Sequence, residues 1–136
     1  MLFVCVANAG RSVMAERIFR MRAGEDVARS AGSTPGTSAH PVVVEALAEL
    51  GIDVSDHVPQ RLEPPLVAWA DVIVATCDDA CPVVPGKRYV QWQLPDPKNR
   101  PLTEVRVIRD EVAARVETLL AELGEAEREQ VGHLGE

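Results

Sequence analysis

Two short runs in this chain, apolar at every position, read as covered strands. Leu2-Phe3-Val4-Cys5-Val6 comes first, and Val72-Ile73-Val74-Ala75 recurs between Asp71 and Thr76. A strand with one wet face alternates apolar and polar residues, so a run without alternation predicts a strand covered on both faces. Other segments have a helical period. Val13, Met14, Ile18 and Met21 share one side of a helix that Gly24 ends. Val43, Leu47 and Leu50 share one side of another, with Pro41 in its first turn and Gly51 at its stop. Val105, Ile108, Val112, Val116, Leu119 and Leu123 form a long stripe on a last helix that Thr103 can cap. Shorter strands are expected over 26–31 and 89–92, and a short helix over 66–70. Pro59, Pro64 and Pro65 oppose regular structure in the stretch before it. Covered strands alternating with helices predict an α/β fold, a parallel sheet with helices on both faces.

Length and charge exclude several classes. The 136 residues suffice for one domain with its own core. We expect a single domain over 1–124 and a frayed acidic tail over 125–136. A net charge of −7 argues against a nucleic-acid face. No apolar run reaches the length of a membrane span. Ala7-Asn8-Ala9 superficially resembles a signal cleavage site, but the segment before it is short and has no basic start. The expected location is therefore cytoplasmic, where thiols stay reduced. Three cysteines cannot form a fully paired disulfide framework, which leaves chemistry, metal or packing. His40, His57 and His133 sit in no ligand pattern, and neither a metal nor a cofactor is expected. Gly86-Lys87 lacks the preceding glycine of a nucleotide-binding loop.

In parallel sheets, ligands bind at the carboxyl ends of the strands. That rule selects the segments after Val6, Thr76 and Trp92. The first two carry all the cysteines and the third carries Asp96. The segment Cys5-Val6-Ala7-Asn8-Ala9-Gly10-Arg11-Ser12 joins a covered strand to a helix start through small residues. Backbone N–H groups of Val6, Ala7, Asn8, Ala9 and Gly10 can converge on one point there, and the helix start adds positive potential. Arg11 can hold two oxygens of an oxyanion with its planar fork. Such a field favours a thiolate at Cys5. The ensemble reads as a nucleophile beneath an oxyanion cradle. An inert buried Cys5 beside a solvent-facing Arg11 is the plainer alternative.

This N-terminal stretch resembles the low-molecular-weight tyrosine phosphatases, including their arsenate reductase branch, and the resemblance spans nearly the whole chain. Cys5 to Ser12 matches the phosphate-binding loop, and Met14-Ala15-Glu16 the start of the first helix. Ser30-Ala31-Gly32 matches the turn after the second strand. Gly51-Ile52-Asp53-Val54-Ser55 fits a segment common to both branches, and Asp96-Pro97 the general-acid motif. The resemblance implies a three-layer, four-stranded parallel sheet with flavodoxin-like winding. It also implies that Asn8 holds the loop, that Ser12 steadies the thiolate and that Asp96 is the acid, expected to be buried beside the oxyanion. Two positions depart from the phosphatases. Gly10 stands where many have a second Cys, and Lys98-Asn99 stands where they tend to have Tyr.

Cys77-Asp78-Asp79-Ala80-Cys81-Pro82 follows the second apolar run. A phosphatase has no use for these thiols, whereas a reductase must finish oxidised somewhere. The arsenate reductases resemble this segment, although more residues usually separate the two cysteines. The resemblance implies a relay in which Cys5 attacks arsenic, Cys77 attacks Cys5 and Cys81 receives the disulfide. A thioredoxin-like protein then reduces that disulfide. If Cys77 and Cys81 are incidental, a low-molecular-weight thiol could attack the adduct directly, with Gly10 leaving room for it. A phosphatase working through phosphocysteine is the runner-up, and a thiol-based arsenic sensor is a third reading.

Overall fold

The computed structural model describes residues 1–24, 27–76 and 88–134, with side chains as far as residue 123. The two apolar runs that read as covered strands become the two central strands. β1 (Leu2–Cys5) and β3 (Val72–Ala75) are each buried at all four positions. They pair in parallel, Leu2 with Ile73 and Phe3 with Val74. β2 (Arg29–Gly32) lies outside β1 and β4 (Arg88–Gln91) outside β3, giving the parallel order β2-β1-β3-β4. The four-stranded parallel α/β sheet expected from the sequence is therefore present.

Alternate residues of the central strands feed two cores. Phe3, Val72 and Val74 face α1 (Arg11–Ala23), α2 (Pro41–Ala48) and α4 (Leu102–Leu134). Leu2, Val4, Ile73 and Ala75 face the other way, toward α3 (Pro64–Trp69). The α4 stripe buries Val105, Ile108, Val112, Val116 and Leu119 against the first core. Each large aliphatic side chain so buried contributes roughly 1.5–3 kcal/mol. Aromatics are scarce, and three of them meet around Phe3, whose ring centroid lies 5.6 Å from Phe19 and 5.8 Å from Trp92.

Several local expectations need correction. Met21 is 51% exposed. The buried face of α1 centres on Ala15, and six residues at 100° each carry Met21 about 120° round from it. Leu50 lies beyond α2 and is 38% exposed. Pro64 and Pro65 do not oppose α3 but begin it, because the first helical positions need no N–H donor. Thr103 lies within α4, not at its cap. β2 starts at Arg29, three residues later than expected, and β4 at Arg88, one earlier. The helical backbone also continues past Gly124 to Leu134, where a frayed tail was expected. One glycine costs a helix only about 1 kcal/mol relative to alanine, and the Glu, Ala, Arg and Gln around it favour helix. Among the described residues, no helix is long and apolar enough to cross a membrane.

Candidate active site

The loop between β1 and α1 is shaped by where its carbonyls go. Cys5 O accepts from Ser33 N–H at 3.2 Å, Val6 O from Thr34 at 2.8 Å and Ala7 O from Gly36 at 2.9 Å. Asn8 O accepts from His57 Nε2 at 2.8 Å, Ala9 O from His40 N–H at 2.9 Å and Gly10 O from Met14 N–H at 3.0 Å. Every carbonyl from Cys5 to Gly10 is thus held by a donor outside the loop. Across a trans peptide the next N–H points the opposite way, so the amides of Val6 to Arg11 are turned inward. This is the geometry of an anion cradle, reinforced by the start of α1.

Inside the cradle, Cys5 is 3% exposed and its Sγ receives the Asn8 N–H at 3.2 Å. Ser12 Oγ lies 2.8 Å from the same sulfur. The Asn8 side chain fixes which way the hydroxyl protons point. Its amide group donates to Ser12 Oγ and to Ser30 Oγ, each at 2.9 Å. Each hydroxyl then has its own proton free for a further acceptor. Ser30 gives its proton to the buried Glu16 carboxylate, and Ser12 is left to give its own to Cys5. The chain of donors therefore runs outward from Asn8 to two acceptors, a carboxylate and a sulfur. That arrangement suits a sulfur carrying negative charge. Asn8 is completely buried in the left-handed region, with φ at +52°. Its Oδ1 accepts the Gln60 N–H at 3.0 Å, and Gln60 Nε2 reaches Ser30 O at 2.9 Å. Arg20 pairs with Glu16 at 2.8 Å.

Gly32 makes the close approach of β2 to this loop feasible. A Cβ there would lie 2.5 Å from Val6 O and 2.9 Å from Asn8 N. Arg11 opens α1, and its Nη1 donates to Leu94 O at 3.2 Å, across from the cradle. Among the described residues that is its only side-chain partner, so most of the guanidinium fork is left for a ligand.

The Asp96-Pro97 segment closes over Gly10. A Cβ on Gly10 would meet Pro97 Cγ at 2.8 Å and His40 Cδ2 at 3.3 Å. The expected room beside Gly10 for an attacking thiol is therefore occupied by Pro97 and the His40 ring. Asp96 is at the mouth but exposed, contrary to the expectation of a buried acid, because its carboxylate turns to accept the Lys98 N–H at 3.0 Å. His40 faces both residues. Burial lowers its imidazole below the ordinary value, the Asp96 carboxylate opposes that shift, and Lys98 adds to it.

The structure thus brings together Cys5, Val6, Ala7, Asn8, Ala9, Gly10, Arg11 and Ser12, with Asp96 beside them. Cys77 and Cys81 lie outside the described residues. Thr76, just before them, is tied to Val4 O through its N–H at 2.8 Å and its hydroxyl at 2.9 Å. Sequence reasoning missed the supporting roles of Glu16, Ser30, His57 and Gln60. Glu16 carried a signal, the one acid among the buried residues of α1.

The sequence profile of the low molecular weight phosphotyrosine protein phosphatases matches residues 1–129. An arsenate reductase of Staphylococcus haemolyticus is 30% identical over 120 residues, which is 85% of this chain and 92% of that protein. The solved thioredoxin-dependent arsenate reductase of Corynebacterium glutamicum is 35% identical with a TM-score of 0.75. The match covers 92% of this chain, which spans 61% of the length of that protein. A low-molecular-weight protein tyrosine phosphatase from T. tengcongensis is 30% identical with a TM-score of 0.77, covering 89% of this chain and 97% of that one.

Proposed function

The chain belongs to the low molecular weight phosphotyrosine protein phosphatase family, and on that premise we propose that it is an arsenate reductase with Cys5 as nucleophile. The observation that carries this reading is the cradle itself, whose inward amides can hold an oxyanion above a sulfur already supplied with two donors. Arsenate reductases among its relatives, matching 85% of the chain, support the choice of substrate.

In the proposed reaction the Cys5 sulfur attacks arsenic while Arg11 and the loop amides hold its oxygens. Asp96 gives a proton to the departing oxygen, which leaves as water. The Cys77 thiolate then attacks the Cys5 sulfur. An S–S bond forms, the S–As bond breaks, and its electron pair stays on arsenic, which leaves as arsenite. Cys81 next attacks Cys77, frees Cys5 and carries the disulfide until a thioredoxin-like dithiol takes it. The ties from Thr76 to Val4 support a short path between the two strand ends.

The test supplies arsenate with thioredoxin, thioredoxin reductase and NADPH, and in parallel arms a small thiol or an aryl phosphate. Arsenate-dependent NADPH consumption that Cys81→Ser abolishes is the expected result. Turnover of the aryl phosphate alone would establish the phosphatase reading instead, which the T. tengcongensis neighbour supports. Lys98-Asn99 after Asp96-Pro97 weighs against it, since these side chains provide no aromatic wall for a phenyl ring.

A further inference from the structure

Asp96 sits on a stretch that is neither helix nor strand. Between β4 and α4 the backbone over 92–101 forms no regular element, and Pro95, Pro97 and Pro101 have no N–H to tie it down. Side chains and one turn fix it instead. Arg11 Nη1 donates to Leu94 O at 3.2 Å, joining the stretch to the cradle. Two residues on, Arg100 Nε donates to Asp96 O at 2.6 Å. The Arg100 N–H closes the turn on Pro97 O at 3.2 Å, and Asn99 takes the left-handed φ of +61° within it. The Lys98 N–H reaches Asp96 Oδ1 at 3.0 Å. Asp96 Oδ2 has no hydrogen-bond partner among the described residues, so it is the oxygen free to carry a proton.

Arg100 is itself held. It pairs at 3.3 Å with Glu104, in the first turn of α4, and the next residue, Val105, is fully buried in the core. Asp96 is thus spanned by two arginines, one from the cradle and one anchored to α4. The Arg100 and Glu104 side chains are 43% and 55% exposed, and a pair so exposed adds little to stability. What the pair does fix is where the Asp96 carbonyl, and with it the carboxyl group, can lie.

We propose that Arg100 is a positioning residue for Asp96, registering the acid against α4 so that its proton meets the oxygen leaving the cradle, with Glu104 holding the guanidinium in place. The proposal rests on the reading of Asp96 as proton donor. In the step it serves, the bond between the central atom and the departing oxygen breaks, and its electron pair stays on that oxygen. The Asp96 proton passes to the same oxygen, and the carboxylate left behind keeps the Lys98 N–H. Arg100 exchanges no proton and touches no substrate. Because the turn rests on Gly10 through Pro97, loosening it shifts the acid relative to the cradle. A misplacement of about 1 Å is enough to cost a large factor in rate.

Steady-state kinetics are read on arsenate with saturating thioredoxin, thioredoxin reductase and NADPH, and on phenyl phosphate. Arg100→Met keeps the stem and removes the donors. It should lower kcat about tenfold, hold KM within about twofold and leave the urea midpoint nearly unchanged. Arg100→Lys, which restores one donor, should recover part of the loss, and Glu104→Gln should show a smaller loss of the same kind. In an Asp96→Asn background, Arg100→Met should cost nothing further. An unchanged kcat in Arg100→Met, or a loss that persists undiminished in the Asp96→Asn background, would overturn the proposal and leave arsenate reduction standing. The same pattern on phenyl phosphate without arsenate turnover would end the reductase reading and keep the role of Arg100. Absence of both reactions in the unaltered protein would overturn both.

Discussion

Asn8 concentrates more of the site into one side chain than any other residue. It is fully buried with φ at +52°, donates to Ser12 and Ser30, and accepts from Gln60. Asn8→Ala keeps the left-handed strain and orphans the Gln60 N–H. Each buried group left unsatisfied costs about 1–3 kcal/mol. Asn8→Gly removes the strain but not the orphan. Urea unfolding should therefore rank wild type above Asn8→Gly and Asn8→Gly above Asn8→Ala. A glycine variant as stable as wild type would mean that the side-chain bonds contribute nothing. Activity should fall in both variants, because Ser12 loses the donor that directs its proton toward Cys5. The loop from Cys5 to Ser12 was legible in the sequence as a strand–helix junction, since Cys, small residues and Arg there are a local pattern. Its brace was not. Ser30 lies 22 positions from Asn8 and Gln60 lies 52, and no periodicity links them.

At the scale of elements, the closing of one loop over another sets a further constraint. The turn carrying Asp96 rests on Gly10 through Pro97, with no space for a Cβ. Gly10→Ala should push that turn outward and lower kcat, while leaving the Cys5 loop and the overall stability largely intact. Removing the obstructing ring in the Gly10→Ala, Pro97→Ala double variant should recover part of the loss. Two single losses that simply add would show that the contact is not the cause. A different joint holds α2 to α4. Glu49, just past α2, meets Arg106 and Arg109 at 2.6 Å each, and Arg109 also donates to Ala46 O at 2.9 Å. Hydrogen bonds from Arg106 and then Arg109 lower the Glu49 carboxyl from its ordinary 4.5 to about 2. A depressed carboxylate stabilises the fold above its unfolded value and loses that contribution as the pH falls through the folded one. The urea midpoint should thus decline between about pH 4.5 and pH 2, and Glu49→Gln should flatten that part of the profile. Equal slopes in the two proteins would remove Glu49 from the acid response. The α4 stripe was readable because it repeats every three or four residues. The clamp was not, because its carboxylate and guanidinium groups sit about sixty residues apart, at 57 and 60. Met21 misled because a stripe can be drawn through it, yet Ala15 and Phe19 set the face that packs.

For the whole molecule, the sheet order decides what can meet. With β1 and β3 central and β4 next to β3, the chain leaves all three strands at one edge. The carboxyl-edge rule read from sequence therefore selected the edge where Cys5, Arg11 and Asp96 gather, without any knowledge of the side-chain network. Charge acts at the same scale. Acidic residues outnumber Lys and Arg by 21 to 14, while Arg11, Lys98 and Arg100 gather at the mouth. An incoming arsenate dianion is repelled by the molecule as a whole and attracted by its mouth, and salt separates the two. The screening length is about 30 Å at 0.01 M, about 8 Å at 0.15 M and about 3 Å at 1 M. In dilute buffer the ion senses the full excess of negative charge. Near 0.15 M it senses mainly the mouth, and at 1 M little of either. On the reductase reading, kcat/KM for arsenate should rise and then fall as KCl increases across that range. Lys98→Glu should lower the maximum. A monotonic fall from the lowest salt would show that the mouth governs capture at every distance, and a monotonic rise that the local cations do not contribute.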